Sequence, residues 1–154
     1  MIYIRPLVEY NTCSWSSNAK GEIKSIEKVQ RKFTRRLCQK TNISFTSYED
    51  RMKKLNLESL KIRRDKNDLV FLFKIINKYV DINFSEYFKT NNYTSNLRRH
   101  KHHISRQDVA QSQIRNNYFS YRVIKNWNSL PEDIISSETL EIFKHKLKRH
   151  ILSP

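Results

Sequence analysis

A chain of 154 residues, 38% of them apolar, is long enough for one domain with its own core, burying about 70% of the surface its unfolded form exposes. Thirty Lys and Arg against fifteen Asp and Glu leave a net charge of +15, a field that draws polyanions, nucleic acid before acidic membrane. The single glycine, Gly21, excludes the dinucleotide fingerprint and the P-loop, which need several glycines to bring backbone close to phosphate.

Residues 3–15 read as the end of a helix that is expected to continue something upstream, because apolar groups run up to the first residue. "MIYIRPLVEY" meets Arg5 after four residues, so no secretory signal is expected, and the nucleus or cytoplasm is the expected location. Asn42, Asn83 and Asn92 open N-x-S/T triplets that mean nothing without secretion. Cys13 and Cys38 are lone thiols, consistent with a reducing compartment.

Gly21 then separates this piece from a helix over Glu22–Lys40. Ile23, Ile26, Val29, Phe33 and Leu37 form its apolar stripe. At about 100° per residue, Lys24, Lys28, Arg31, Lys32 and Arg35 fall in one arc facing away from that stripe. Residues 22–41 hold seven basic and two acidic side chains, a net +5. That arc is a solvated surface or a phosphate-tracking face; the residues alone leave both open.

Ser47 and Asp50 suggest a capping box for a short helix ending by Leu55. Ser59 is placed to cap a third helix over about 60–80. Its stripe is Ile62, Leu69, Leu72, Phe73, Ile76 and Tyr79, widened by Val70, Phe71 and Ile75, which places it centrally. Lys61–Asp65 and Arg64–Asp68 are i,i+4 pairs. Asp65 and Asp68 also form a carboxylate pair, but their basic neighbours argue against a metal there. Leu69–Phe73 is the longest apolar run, too short to cross a membrane.

Residues 81–112 lack period. Asn96–Arg106 holds Arg98, Arg99, Lys101 and Arg106, three histidines and no acid, a basic loop or short strand pair that a partner would order. His100, His102 and His103 could join a cysteine on zinc, but no recognised spacing supports it. A solvated arm is the plainer reading, and neither metal nor cofactor is expected.

Phe119, Val123, Trp127 and Leu130 share a stripe on a helix over 116–129. Pro131 drives Leu130 towards extended backbone and ends it. Trp127 is expected in the core; stacking on a base is the other reading, and would need an exposed ring. Ser136 or Ser137 is expected to cap a last helix over 137–151, with Glu138 and Glu141 in its first turn. That helix would bury Leu140, Phe143, Leu147 and Ile151, and its last turns carry Lys144, Lys146, Lys148 and Arg149.

The expected fold is all-α: a small irregular helical bundle with a basic irregular segment around 90–112. It reads as one domain, with sub-units 1–80 and 113–154 joined by the basic loop 81–112.

Four stretches in order, "YIRPLVEYNTCSW", "IEKVQRKFTRRL", "SYEDRMKKLNLESLKIRRDKNDL" and "FSYRVIKNWNSLPEDIISSETLEIFKHKL", resemble the C-terminal region of non-LTR (LINE-type) retrotransposon reverse transcriptases of the jockey-like groups. Polar and aromatic residues matching that pattern include Glu9, Trp15, Glu27, Gln30, Arg51, Arg63, Arg64, Trp127 and Asn128. The resemblance implies a helical region in and beyond the polymerase thumb that holds template RNA and primer DNA. The family's polymerase centre needs carboxylates holding two metals, two of them adjacent in Tyr-x-Asp-Asp; this sequence has no Asp-Asp pair. The resemblance therefore implies a non-catalytic piece, with no catalytic residue. Its partners would be RNA, DNA or their hybrid, held through phosphates with little sequence preference. An upstream polymerase domain would be a further partner in a full-length element. Two other readings stay open: a decayed fragment with no function of its own, and a stand-alone helical DNA-binding protein.

Overall fold

The computed structural model describes residues 4–90, 102–105 and 115–152. The fold is all-α. Helices α1 (Ile4–Glu9), α2 (Thr12–Trp15), α3 (Lys20–Lys40), α4 (Tyr48–Lys54), α5 (Leu60–Ile76), α6 (Phe84–Tyr87), α7 (Phe119–Asn128), α8 (Glu132–Ile135) and α9 (Leu140–Leu152) follow in order. The β structure among the described residues is one antiparallel pair, β1 (Lys89–Thr90) with β2 (Ile104–Ser105). The chain forms two compact units, Met1–Arg64 and Asp65–Pro154. Among the described residues no helix is long and apolar enough to cross a membrane.

In the first unit the expected opening helix is broken in two. Asn11 adopts φ 48° and ψ 38° between α1 and α2, a left-handed conformation that Asn tolerates better than most residues. The chain is tied back by long-range contacts. Arg63 grips the Glu9 carboxylate through two nitrogens, Nη2 at 2.6 Å, and that contact holds the guanidinium pKa above its ordinary value. Trp15 donates to the Tyr10 carbonyl at 2.7 Å, and the Arg64 guanidinium lies over its ring. Gly21 is no separator: it is the second residue of α3. Ser47 caps α4 as expected, its Oγ accepting from Asp50 N at 3.1 Å, but the return bond of a capping box shifts by one residue: Asp50 Oδ2 accepts from Thr46 N at 3.0 Å.

The core of the second unit draws on α5, β2, α7, α8 and α9, including Leu69, Leu72, Phe73, Ile104, Val123, Trp127, Phe143 and Leu147. Phe73 stacks on Phe143 with centroids 4.2 Å apart. Each such side chain contributes on the order of 1.5–3 kcal/mol by leaving water. α5 stops at Ile76, short of residue 80. Lys78 takes φ 57°, and the amides of Lys78 and Tyr79 bond back to Ile75 and Lys74 at 3.2 and 2.9 Å, a Schellman closure. Tyr79 thus leaves the stripe and is half exposed.

Pro131 is a stop and a restart. α7 ends at Asn128, and Pro131 opens α8, its carbonyl accepting from Ile134 N at 3.1 Å. α8 buries Ile134 and Ile135, which the helical pattern on either side did not reveal. Ser136 and Ser137 do not cap α9. Their hydroxyls donate to the carbonyls of Glu132 at 2.7 Å and Ile134 at 2.6 Å, closing α8 instead. Thr139 caps α9, its Oγ1 accepting from Ile142 N at 3.3 Å.

Candidate nucleic-acid interface

The buried side of α3 is not the expected one. Val29 is 41% exposed, and Ile23, Ile26, Phe33 and Leu37 are only half-buried. The fully buried positions are Gln30, Thr34 and Cys38. Two polar residues there hold the helix in register. Glu27 Oε1 accepts from the Tyr48 hydroxyl at 2.5 Å, and Oε2 accepts from the Leu60 amide at 3.1 Å, which satisfies a free donor at the start of α5. Gln30 Nε2 donates to the Glu58 carbonyl at 2.9 Å and to the Tyr48 oxygen at 3.3 Å. Burial and the bond to Glu27 push the Tyr48 hydroxyl pKa up to about 12.

With that side held, Lys24, Lys28, Lys32 and Arg35 all face solvent, and among the described residues none has a carboxylate within ion-pair distance. Arg31 is exposed but not independent: its guanidinium lies 4.6 Å from the centre of the Tyr48 ring. It is also one of the cations, after the local backbone and Ser47 bonds, that keep the Glu49 carboxyl below its usual range. The expected set of five therefore divides into four open cations and one that leans on α4. Arg36, absent from that set, is exposed too. It extends the row Lys24–Lys28–Lys32 by a further four residues, a spacing of about 6 Å per step. The i,i+4 repeat was readable in the sequence, but Arg36 lay nearer the expected apolar stripe. A duplex strand rises about 3.4 Å per phosphate, so each step along that row spans one to two phosphates. Arg98, Arg99, Lys101 and Arg106 lie outside the described residues.

The second unit uses its conspicuous residues for structure. The Trp127 ring is 0% exposed, so it cannot stack on a base as it stands. Its Nε1 donates to the His102 carbonyl at 3.0 Å. Asn128 bonds Ile104 in both directions, accepting from its amide at 3.0 Å and donating to its carbonyl at 2.8 Å. Asp68 turns both carboxylate oxygens to Arg122, which occupies the group that sequence offered as half of a metal pair. Among the described residues no cluster of three His, Cys, Asp or Glu side chains could hold a metal ion. In the first unit, Arg51 is buried beneath Phe45 and Tyr48. These polar and aromatic residues thus serve as internal ties.

The chain is 31% identical over 86 residues to an uncharacterized protein of Caenorhabditis elegans. The shared stretch covers 56% of this chain and 40% of the worm protein, so the chain spans well under two thirds of that relative. No family model matches the chain, and no solved structure matches it.

Proposed function

We propose that this chain is a non-catalytic nucleic-acid-binding region of the kind found at the C-terminal end of non-LTR retrotransposon reverse transcriptases. The observation that carries the reading is the solvent face of α3, where Lys24, Lys28, Lys32 and Arg35 stand open on a helix whose other side is held by Glu27 and Gln30. Such a face meets phosphate backbones by charge and spacing. RNA, DNA and their hybrid are all admissible ligands. The polymerase origin rests on the four ordered sequence stretches, and the absence of an Asp-Asp pair argues against nucleotide transfer by this chain.

The test is a salt titration of fluorescence anisotropy with labelled RNA, duplex DNA and hybrid. Each phosphate contact adds about 0.9 to the log–log slope on duplex DNA, or about 0.7 on single strands. Replacing Lys28, Lys32 and Arg35 by Gln lowers the slope by roughly two to three units with helicity intact. An unchanged slope in a folded variant would leave α3 as a solvated surface and remove this reading.

A further inference from the structure

We infer that the exposed face of α9 is a second phosphate-binding surface, contributing to the same nucleic-acid affinity from the other compact unit. This inference rests on the reading above and extends it to the cations of the last helix.

α9 buries Phe143 and Leu147 and half-buries Leu140 and Ile151. Lys144 and Lys148 along one flank, and His145 and Arg149 on the far side, are all exposed. At 3.6 residues per turn they form two i,i+4 rows, Lys144–Lys148 and His145–Arg149, each step about 6 Å. That is the spacing of the α3 row. Dipole compensation acts only within the last turn. It accounts for Arg149 and the residues beside it, and not for Lys144 or His145 in the middle of the helix.

The structure also sorts the lysines by use. Lys146 sits on the flank, and its ammonium donates to the Asp133 carbonyl at 2.6 Å, tying α9 to α8. Among the described residues Lys144 is held only by Glu141, at 2.9 Å, and that carboxylate is itself 80% exposed. A solvated i,i+3 pair of this kind contributes little and yields to a phosphate. Glu141 is the sole acid of α9. An acidic membrane is a poorer fit to the same charge. A helix that lies in a bilayer surface must turn an apolar face to the lipid, and the apolar face of α9 is already taken up by the core.

The experiment compares three variants with wild type in anisotropy titrations on labelled duplex DNA across salt. One removes the α9 cations (Lys144→Gln, Lys148→Gln, Arg149→Gln), and one removes the α3 cations (Lys28→Gln, Lys32→Gln, Arg35→Gln). A charge-matched control alters exposed lysines off both faces (Lys53→Gln, Lys89→Gln, Lys125→Gln). The α9 variant is expected to lose about two to three units of slope, with the control close to wild type. Glu141→Gln, which frees Lys144, is expected to tighten binding. A measurement on the unaltered chain does not depend on how the variants fold. Acylation by an amine-reactive ester, read by mass spectrometry, is expected to show Lys144 and Lys148 shielded by the duplex while Lys53 and Lys125 are not. If the α9 variant matches the control and Lys144 and Lys148 stay reactive, α9 is no binding surface, although α3 still is. Preference for phosphatidylserine vesicles over duplex DNA would also overturn the inference. If wild type does not bind DNA or RNA even at low salt, the functional reading itself fails, and this inference with it.

Discussion

Arg122 holds Asp68 at two points, Nε to Oδ2 at 2.7 Å and Nη2 to Oδ1 at 2.9 Å, with both side chains almost wholly buried. The remaining end of the guanidinium donates to the Asn117 carbonyl at 2.6 Å. One side chain thus joins α5, α7 and the 3₁₀ turn Arg115–Asn117. The planar fork of arginine suits this task, where a lysine would offer one point of charge.

Removing either partner strands the other in the interior. Asp68→Ala or Arg122→Met alone is expected to lower stability by about 3–5 kcal/mol, whereas Asp68→Leu combined with Arg122→Met should cost far less, since no charge is left buried. Urea midpoints of the singles and the double decide it. Additive losses would show that the pair acts as two unrelated contacts.

Asn128 acts as a strand partner for Ile104, supplying one acceptor and one donor to the same residue. Asn128→Ala leaves both groups to water or unsatisfied, a loss of about 1–3 kcal/mol at that site. Hydrogen exchange of the Ile104 amide should speed up by roughly tenfold or more, with the amides of α3 unchanged. Equal protection in the variant would mean that core packing, rather than the Asn amide, holds β2.

Tyr48 supplies a pH signature. Its phenol is raised from 10.0 to about 12, first by burial and then by the bond to Glu27. The folded value lies above the unfolded one, so its contribution is full below about pH 10 and is lost as pH rises towards about 12. In an ultraviolet titration a late-ionising tyrosine component is expected, and Tyr48→Phe should remove it. A wild-type curve without a late step would contradict the Tyr48–Glu27 contact.

The one glycine sits where it is least useful. Gly21 lies within α3, and a Cβ built there meets nothing within 4 Å. Lys78 instead holds the left-handed position that ends α5, with φ 57°. Gly21→Ala is expected to stabilise the fold by up to about 1 kcal/mol through helix propensity, and Lys78→Gly by about 1 kcal/mol through relief of the left-handed backbone. In a chain of this size each shifts Tm by about 2–4 °C per kcal/mol. A lower Tm for Lys78→Gly would show that the lysine side chain matters more than its backbone.

Much of the helical architecture was readable from residue spacing, and the basic arc of α3 with it. On α9 periodicity named the buried side, Phe143 and Leu147; on α3 it found the exposed cations Lys24 and Lys28 but not the buried side, which is Gln30, Thr34 and Cys38. Local chemistry was also legible at Ser47, whose cap needs only a residue three positions away.

By itself the sequence determined the all-α character and the large positive charge, because these depend on composition and on neighbours within one or two turns. Tertiary structure alone decided which polar side chains go inside. Glu27 meets the Leu60 amide 33 residues away, and Arg122 meets Asp68 across 54; no local spacing encodes such a meeting. It also decided that Arg31 leans on Tyr48 while Lys28 stays open, and that Ser136 and Ser137 close one helix and do not start the next. A hydroxyl or guanidinium satisfies whichever partner the packed backbone brings within reach, and that partner exists only once the chain has folded.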